Sequence, residues 1–327
     1  MLSWIIQNSK LKSLQQPRPV PRPGDVLVQV DYCGICGTEY QKYLNFQEET
    51  AWGHEIIGRI ADSQGCFTQP VVVRTSFPCH TCAQCEQQNY HRCTKWKRFH
   101  FNGFSEYISV DSRCVIPLKS DMFGPEYALV EPLYVAIHLV NKIQPDPNDR
   151  IAIIGNGTVG LLCAFYLRLI GCESIMIFAR SLPDIRLAFA ERCSAKTYCY
   201  DEMCQHIPRA DKIINTAAYV TMPDVIRYAQ PHTVITFNGI SKDTQVTLDM
   251  ITWHFKNLVI MPSFPHPQID FSEALAIIQE HRSFLGSLIT HYFTLQQLPM
   301  AFKAMNLPQK NHIKVLICTA NPPPLQK

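Results

Sequence analysis

Along residues 151–262, short apolar runs alternate with amphipathic stretches. Residues 151–154, 174–178, 212–215, 233–237 and 258–261 read as strands, and 161–170, 185–193 and 223–230 carry helical periodicity. Alternation at this spacing predicts a parallel sheet with crossover helices. The first third is different. A proline-rich extended segment runs from Pro17 to a turn at Gly24-Asp25, and 26–30, 56–60, 71–73 and 104–110 are short strands. This predicts a β-rich, barrel-like region with long loops. Residues 79–93 are too polar and irregular to fold unaided. A helix over 127–142 and a turn over 145–148 lead into the sheet; a helix over 271–282 and strands over 291–293 and 313–318 follow it. The sequence holds no internal repeat and no low-complexity tract beyond Pro322-Pro323-Pro324.

Composition narrows the classes. With 327 residues, 46% hydrophobic and 17% charged, the chain has material for about two domains and a large core. Lys+Arg 30 against Asp+Glu 27 leaves +3, too weak a charge for a dedicated nucleic-acid or membrane-surface protein. No uncharged apolar run is long enough for a spanning helix. The start, Met1-Leu2-Ser3-Trp4-Ile5-Ile6, lacks the pattern of an export signal, so the chain is expected in a reducing cytoplasm. Its 14 cysteines are then expected to serve as metal ligands or buried thiols rather than disulfides.

Gly155-Asn156-Gly157-Thr158-Val159-Gly160 follows a strand and opens a helix, with a second strand about twenty residues on. In such a loop the first glycine makes the turn, the second admits a pyrophosphate to the backbone, and the third allows close helix–strand packing. The helix N-terminus offers free N–H groups to the anion. The second strand ends Phe178-Ala179-Arg180-Ser181. An NAD site usually carries an acidic residue there. Ala179 removes that charge, and Arg180 with Ser181 can hold a 2′-phosphate, so NADP is favoured over NAD.

Cys79, Cys82, Cys85 and Cys93 are separated by two, two and seven residues. Four thiolates so spaced can enclose a Zn²⁺ ion tetrahedrally with no position left for water, which defines a structural site. The lobe between them has almost no apolar core, so the metal would fold it. An iron–sulfur cluster could use the same four residues. His80 and His91 lie nearby as surplus surface residues.

Cys36, within Cys33-Gly34-Ile35-Cys36-Gly37-Thr38-Glu39, and His54-Glu55, within Gly53-His54-Glu55, prove little singly. In order with the four-cysteine lobe, Gly103-Phe104-Ser105-Glu106-Tyr107, Glu131-Pro132-Leu133 and the glycine loop, they make a specific pattern. Over nearly its whole length the chain resembles the zinc-dependent medium-chain dehydrogenase/reductase family. Glu131-Pro132 in place of a cysteine makes it most similar to the sorbitol, threonine and polyol dehydrogenase branch. The resemblance implies an α/β chain of two domains. One is a discontinuous GroES-like, β-rich catalytic domain over 1–120 and 285–327; the other is a doubly wound Rossmann domain over 121–284, with the active site in the cleft. It implies a catalytic zinc on Cys36 and His54, completed by Glu55 or Glu131 directly or through water, besides the structural zinc. It implies Thr38 as the hydroxyl that relays the alcohol proton, a small alcohol, polyol or ketone as substrate, and a homodimer or homotetramer. A zinc ion so held acts as a Lewis acid toward the substrate oxygen while hydride passes to the nicotinamide.

Two departures stand out. Relatives often carry a histidine five residues after the catalytic cysteine; here Gln41 cannot titrate, so the proton leaves by another route such as water or the ribose hydroxyl. Only 17 residues separate Cys36 from His54, a short loop for a wall of the substrate pocket. These departures are the best support for a second reading, a catalytically silent NADPH-binding or zinc-dependent regulatory protein. A zinc-ribbon nucleic-acid binder lacks the required basic and aromatic clustering. Cys33 is expected to be a buried small residue, and His138, His254 and His291 to be structural or surface residues.

Overall fold

The computed structural model describes residues 1–45, 52–61, 66–98, 102–180, 182, 184–239, 245–264, 271–306 and 311–319. The chain forms two units. The first comprises Met1–Tyr134, Pro265–Pro308 and Lys314–Lys327, and the second Val135–Phe264 and Gln309–Ile313.

The first unit is built on a seven-stranded sheet. Its order is Ile289–Thr294, Lys314–Cys318, Asp25–Gly34, Glu55–Ala61, Phe67–Val73 and Val115–Pro117, with Tyr107–Asp111 also paired to Asp25–Gly34. The ten-residue strand Asp25–Gly34 serves two partners along one edge. Its first half pairs with Tyr107–Asp111, from Asp25 opposite Asp111 to Gln29 opposite Tyr107, and its last three residues pair with Lys314–Cys318. A register shift between Val30 and Tyr32 then sets Gly34 opposite Glu55. Alternation inside the strand sends Val28 and Val30 into a core with Ile6, Ile56, Val71, Val73, Phe104, Phe302 and Val315.

The second unit is a six-stranded, all-parallel sheet. Its order is Lys196–Cys199, Ser174–Ala179, Arg150–Ile154, Lys212–Asn215, Val234–Phe237 and Val259–Pro262. Numbered along the chain this is 3-2-1-4-5-6, the doubly wound dinucleotide-binding order. Ile151, Ile153, Ile213 and Ile235 are fully buried, as expected for strands covered on both faces.

The pattern placed every strand of this sheet except the edge strand Lys196–Cys199, whose alternation is interrupted by polar residues. It did not predict the helices Gly37–Asn45, Met250–Phe255 or Leu298–Met305. The helix expected over 271–282 is two helices, Ser272–Glu280 and Arg282–Gly286. The units also divide differently from 120/121 and 284/285. Residues 121–134 lie with the first unit because the 3-10 turn Pro125–Leu129 packs on the strands Asp25–Gly34 and Glu55–Ala61 and on those two helices. No helix among the described residues is long and apolar enough to cross a membrane.

Candidate metal centres and dinucleotide loop

The strand Asp25–Gly34 delivers Ile35 and Cys36 to the start of the helix Gly37–Asn45. Glu39, in the first turn, closes that start: its Oε2 accepts the Cys36 amide proton at 2.8 Å. Its Oε1 accepts the Gly53 amide proton at 2.6 Å and faces His54 Nδ1 at 2.9 Å. Burial pushes the Glu39 pKa up, but His54 and these donors outweigh it and hold the carboxyl below its ordinary value. A carboxylate on Nδ1 keeps the proton on that nitrogen and leaves the lone pair on Nε2. Nε2 lies 3.9 Å from Glu131 Oε2.

Glu55 enters beneath this pair from the next strand. A Cβ at position 34 would overlap its carboxylate, so Gly34 is what admits it. Both oxygens accept from Lys314 Nζ at 2.7 Å, and the same ammonium donates to the Ile35 carbonyl at 3.3 Å. Glu55 and Lys314 are both buried. Burial lowers the Lys314 pKa, while Glu55, Cys36 and Glu131 raise it further, so the ammonium stays charged.

One ligand atom each from Cys36, His54 and Glu55 lies within 4.8 Å of the other two. Cys36 and His54 are half-buried and reachable. Burial disfavours a charged His54, yet Glu39, Cys36 and Glu131 raise its pKa well above the ordinary histidine value. Burial lifts Glu131 to about 6, offset by His54 and reinforced by Glu55. A cysteine sulfur, a histidine ring nitrogen and a carboxylate oxygen converging at this distance match the donor chemistry of zinc. Replacing Glu39 by glutamine removes the anchoring charge and sets an NH₂ against donors. Metal affinity at Cys36 and His54 is expected to fall about 10–100-fold, read by competition with a chromophoric chelator. An unchanged affinity would mean that Glu39 does not orient His54.

Thr38 is half-buried in the first turn of the same helix, and its hydroxyl makes no hydrogen bond to a described residue. Cys33 is fully buried, with its sulfur packed against Gly53 and Gly103. The other histidines go elsewhere. His138 Nδ1 contacts Ser263 Oγ at 2.7 Å, His291 Nδ1 contacts Thr290 Oγ1 at 3.0 Å, and His254 packs against the Phe255 ring.

The four-cysteine lobe is compact. Cys79 Sγ lies 3.8 Å from Cys85 Sγ, and Cys82 Sγ lies 3.6 Å from Cys85 Sγ and 4.0 Å from Cys93 Sγ. Zinc–sulfur bonds of about 2.3 Å imply a tetrahedral sulfur–sulfur edge of about 3.8 Å, so the cage has the size of a Cys₄ site. Backbone N–H groups of Cys85 and Thr94 donate to Cys82 and draw its thiol down to about 5, while burial and the neighbouring sulfurs push the Cys85 thiol up to about 12, so without an ion the cage shares its protons unevenly.

In the second unit the strand Arg150–Ile154 runs into the glycine loop and the helix Thr158–Leu169. Gly155 takes φ +109°, and a side chain there would meet Thr216. A Cβ at Gly160 would overlap the Gly155 carbonyl, so close packing requires glycine. Gly157 faces open space, as a position approached by a ligand should. No side chain caps the helix, and Thr158 and Val159 are half-buried in its first turn. The strand Ser174–Ala179 ends with Ala179 buried and Arg180 exposed, bonded to no described residue. Ser181 lies outside the described residues.

Three residues with clear roles escaped the sequence. Glu39 stands three residues after Cys36, the spacing of a helix-start carboxylate. Lys314 is a charge inside the apolar run Lys314–Cys318, a signal of a buried partner. Arg186 is buried against Asn156 and leaves no local signal.

Residues 22–120 match the alcohol dehydrogenase GroES-like domain family. A D-xylulose reductase A from Aspergillus oryzae is 23% identical over 333 residues, covering 92% of each chain. Among solved structures, a short chain alcohol dehydrogenase from E. coli CFT073, complexed with cofactor NADH, is similar at TM-score 0.81 and 24% identity, covering 97% of this chain and 99% of that one. Galactitol-1-phosphate dehydrogenase from Escherichia coli is similar at TM-score 0.80 and 23% identity, covering 97% and 100%. Residues 22–120 thus carry the mark of an alcohol dehydrogenase GroES-like domain, and over nine-tenths of its length the chain is similar to proteins named as reductases and dehydrogenases.

Proposed function

We propose that the chain is a zinc-dependent oxidoreductase that moves a hydride between a secondary alcohol or polyol, or the corresponding ketone, and a nicotinamide dinucleotide. The observation that carries this reading is the convergence of Cys36, His54 and Glu55 in one chain with a glycine loop of dinucleotide-binding form. The same convergence speaks against a catalytically silent protein, in which that shell has no reason to be kept together. The names of the Aspergillus and Escherichia relatives support a polyol or its ketone as the substrate class.

Cys36, His54 and Glu55 would hold the ion, with Glu131 facing the shell from the side of His54 Nε2. Zinc there supplies a Lewis acid that acidifies a bound hydroxyl. Glu39 fixes the tautomer of His54. Lys314 offsets one carboxylate charge, so the shell is not overloaded with anions. Thr38, two residues after Cys36, offers the hydroxyl for the first proton transfer. Gln41 cannot continue that path as a titrating group. The four cysteines would hold a second, structural zinc. Arg180 beside Ala179 favours NADP. Met250, Ile251 and Phe255 on one short helix and Val259 on the edge strand Val259–Pro262 are exposed apolar residues and support self-association as a homodimer or homotetramer.

The test is a screen of small polyols, amino alcohols and cyclitols with NADP and NAD on zinc-loaded protein. Turnover of at least one alcohol is expected. NADPH should bind about 10-fold tighter than NADH, since a charge-assisted phosphate contact is worth about 1.5–3 kcal/mol, and Arg180→Ala should erase the difference. No turnover from any alcohol or ketone at full metal load would sink the enzyme reading; tighter NADH binding would sink the role given to Arg180.

A further inference from the structure

His312, Ile313 and Lys314 are consecutive, and each is bonded to a different part of the chemistry. In the second unit Arg186 Nε and Nη2 donate to the His312 carbonyl at 3.0 and 2.9 Å, and Nη1 donates to Asn156 Oδ1 at 3.3 Å. Asn156 is the second residue of the glycine loop. Arg186 is only 8% exposed, so these bonds satisfy a guanidinium withdrawn from water. Thr158, the first residue of the helix that follows the loop, donates its hydroxyl to the Ile313 carbonyl at 2.9 Å. In the first unit Lys314 Nζ holds both oxygens of Glu55 and the carbonyl of Ile35, the residue before Cys36. The peptide bond between Ile313 and Lys314 joins the two sets of contacts.

We propose that His312–Lys314 is a strap that couples the metal shell to the dinucleotide loop, with Arg186 and Lys314 as positioning residues. The inference rests on the dehydrogenase reading, which makes these two sites of one reaction. A cation in the shell competes with Lys314 for Glu55 and fixes where that carboxylate sits. Lys314 follows its partner, and the backbone of Ile313 and His312 is attached to Lys314. Their carbonyls hold Thr158 and Arg186, hence Asn156, so shell occupancy selects one arrangement of the loop. A pyrophosphate on the loop selects the same arrangement from the other end. Coupling of this kind is reciprocal: each ligand tightens the other by the same factor.

The test compares the dissociation constants of NADPH and NADH, by nicotinamide fluorescence, in two forms of the full chain. One carries metal at Cys36 and His54; in the other a chelator has withdrawn that ion and left the four-cysteine lobe loaded, with metal counted per chain. The loaded form is expected to bind dinucleotide about 5-fold tighter or more. In Thr158→Val, a nearly isosteric change, and separately in Arg186→Lys, the ratio is expected to fall to about one while binding persists. A purely structural role would weaken both forms equally and leave the ratio untouched. A ratio near one in the unaltered chain, or an unaltered ratio in both variants, overturns the strap and leaves the dehydrogenase reading standing. A chain that binds neither dinucleotide overturns both.

Discussion

Replacing Cys36 by serine is expected to remove one metal ion per chain and lower turnover by about 10³-fold or more, since Lewis-acid stabilisation is worth several kcal/mol and each 1.36 kcal/mol is tenfold. Serine keeps the size of the side chain and loses the thiolate. A neutral hydroxyl neither attracts a borderline-soft dication nor balances its charge. The local backbone has little reason to change. Glu39 holds the Cys36 amide, not its sulfur, and the helix Gly37–Asn45 keeps its first-turn carboxylate. Ile35 remains paired to Val315 through its amide at 3.0 Å. Metal analysis, steady-state kinetics and a melting curve on the same preparation separate these effects. Turnover within tenfold of the unaltered chain, with both metals bound, would show that the reaction does not run through Cys36.

What the sequence shows and what it hides divide along the range of the contacts involved. The glycine loop is legible because three backbone demands fall within six residues: a left-handed turn at Gly155, open space at Gly157 and close packing at Gly160. The four-cysteine lobe is legible because its ligands sit within fifteen residues and nothing apolar competes for the reading. The role of Glu39 is set by Gly53 and His54, fourteen and fifteen residues further along the chain. Lys314 meets Glu55 across 259 residues, a partnership no local pattern specifies. Register rather than composition decides which carboxylate is brought against Gly34 beside Cys36 and His54. The division between the two units after Tyr134 has a related reason. Residues 127–129 read locally as the start of a helix, yet they are buried in a turn that packs on the strands Glu55–Ala61 and Asp25–Gly34, roughly 70 and 100 residues earlier.

Loss of the zinc proposed for the four-cysteine lobe is expected to be the second large effect, and to fall on stability. Cys82, Cys85 and Cys93 are themselves the buried residues of the lobe, with Cys79, Tyr90 and Trp96 only partly buried against them. Its secondary structure is a single helical turn, Ala83–Glu86, and a 3-10 turn, Tyr90–Arg92. Such a segment cannot offset the ordering of its own backbone, about 1–2 kcal/mol per residue, by burial. Zinc-finger peptides of similar poverty draw about 10–16 kcal/mol from their metal, as much as a whole domain usually has to spare. Cys93→Ser removes one thiolate and the acceptor of the Cys79 amide. The lobe is therefore expected to open between the short paired strands Ser76–Phe77 and Lys97–Arg98 that anchor it. Limited proteolysis should cut within residues 79–93 of the variant and leave the unaltered, metal-loaded chain intact. Hydrogen exchange in the strands Arg150–Ile154 and Lys212–Asn215 should not change, because their core contains no lobe residue. A variant that keeps two metals per chain and resists cleavage would show that three cysteines, with a water or a neighbouring histidine, suffice to close the cage.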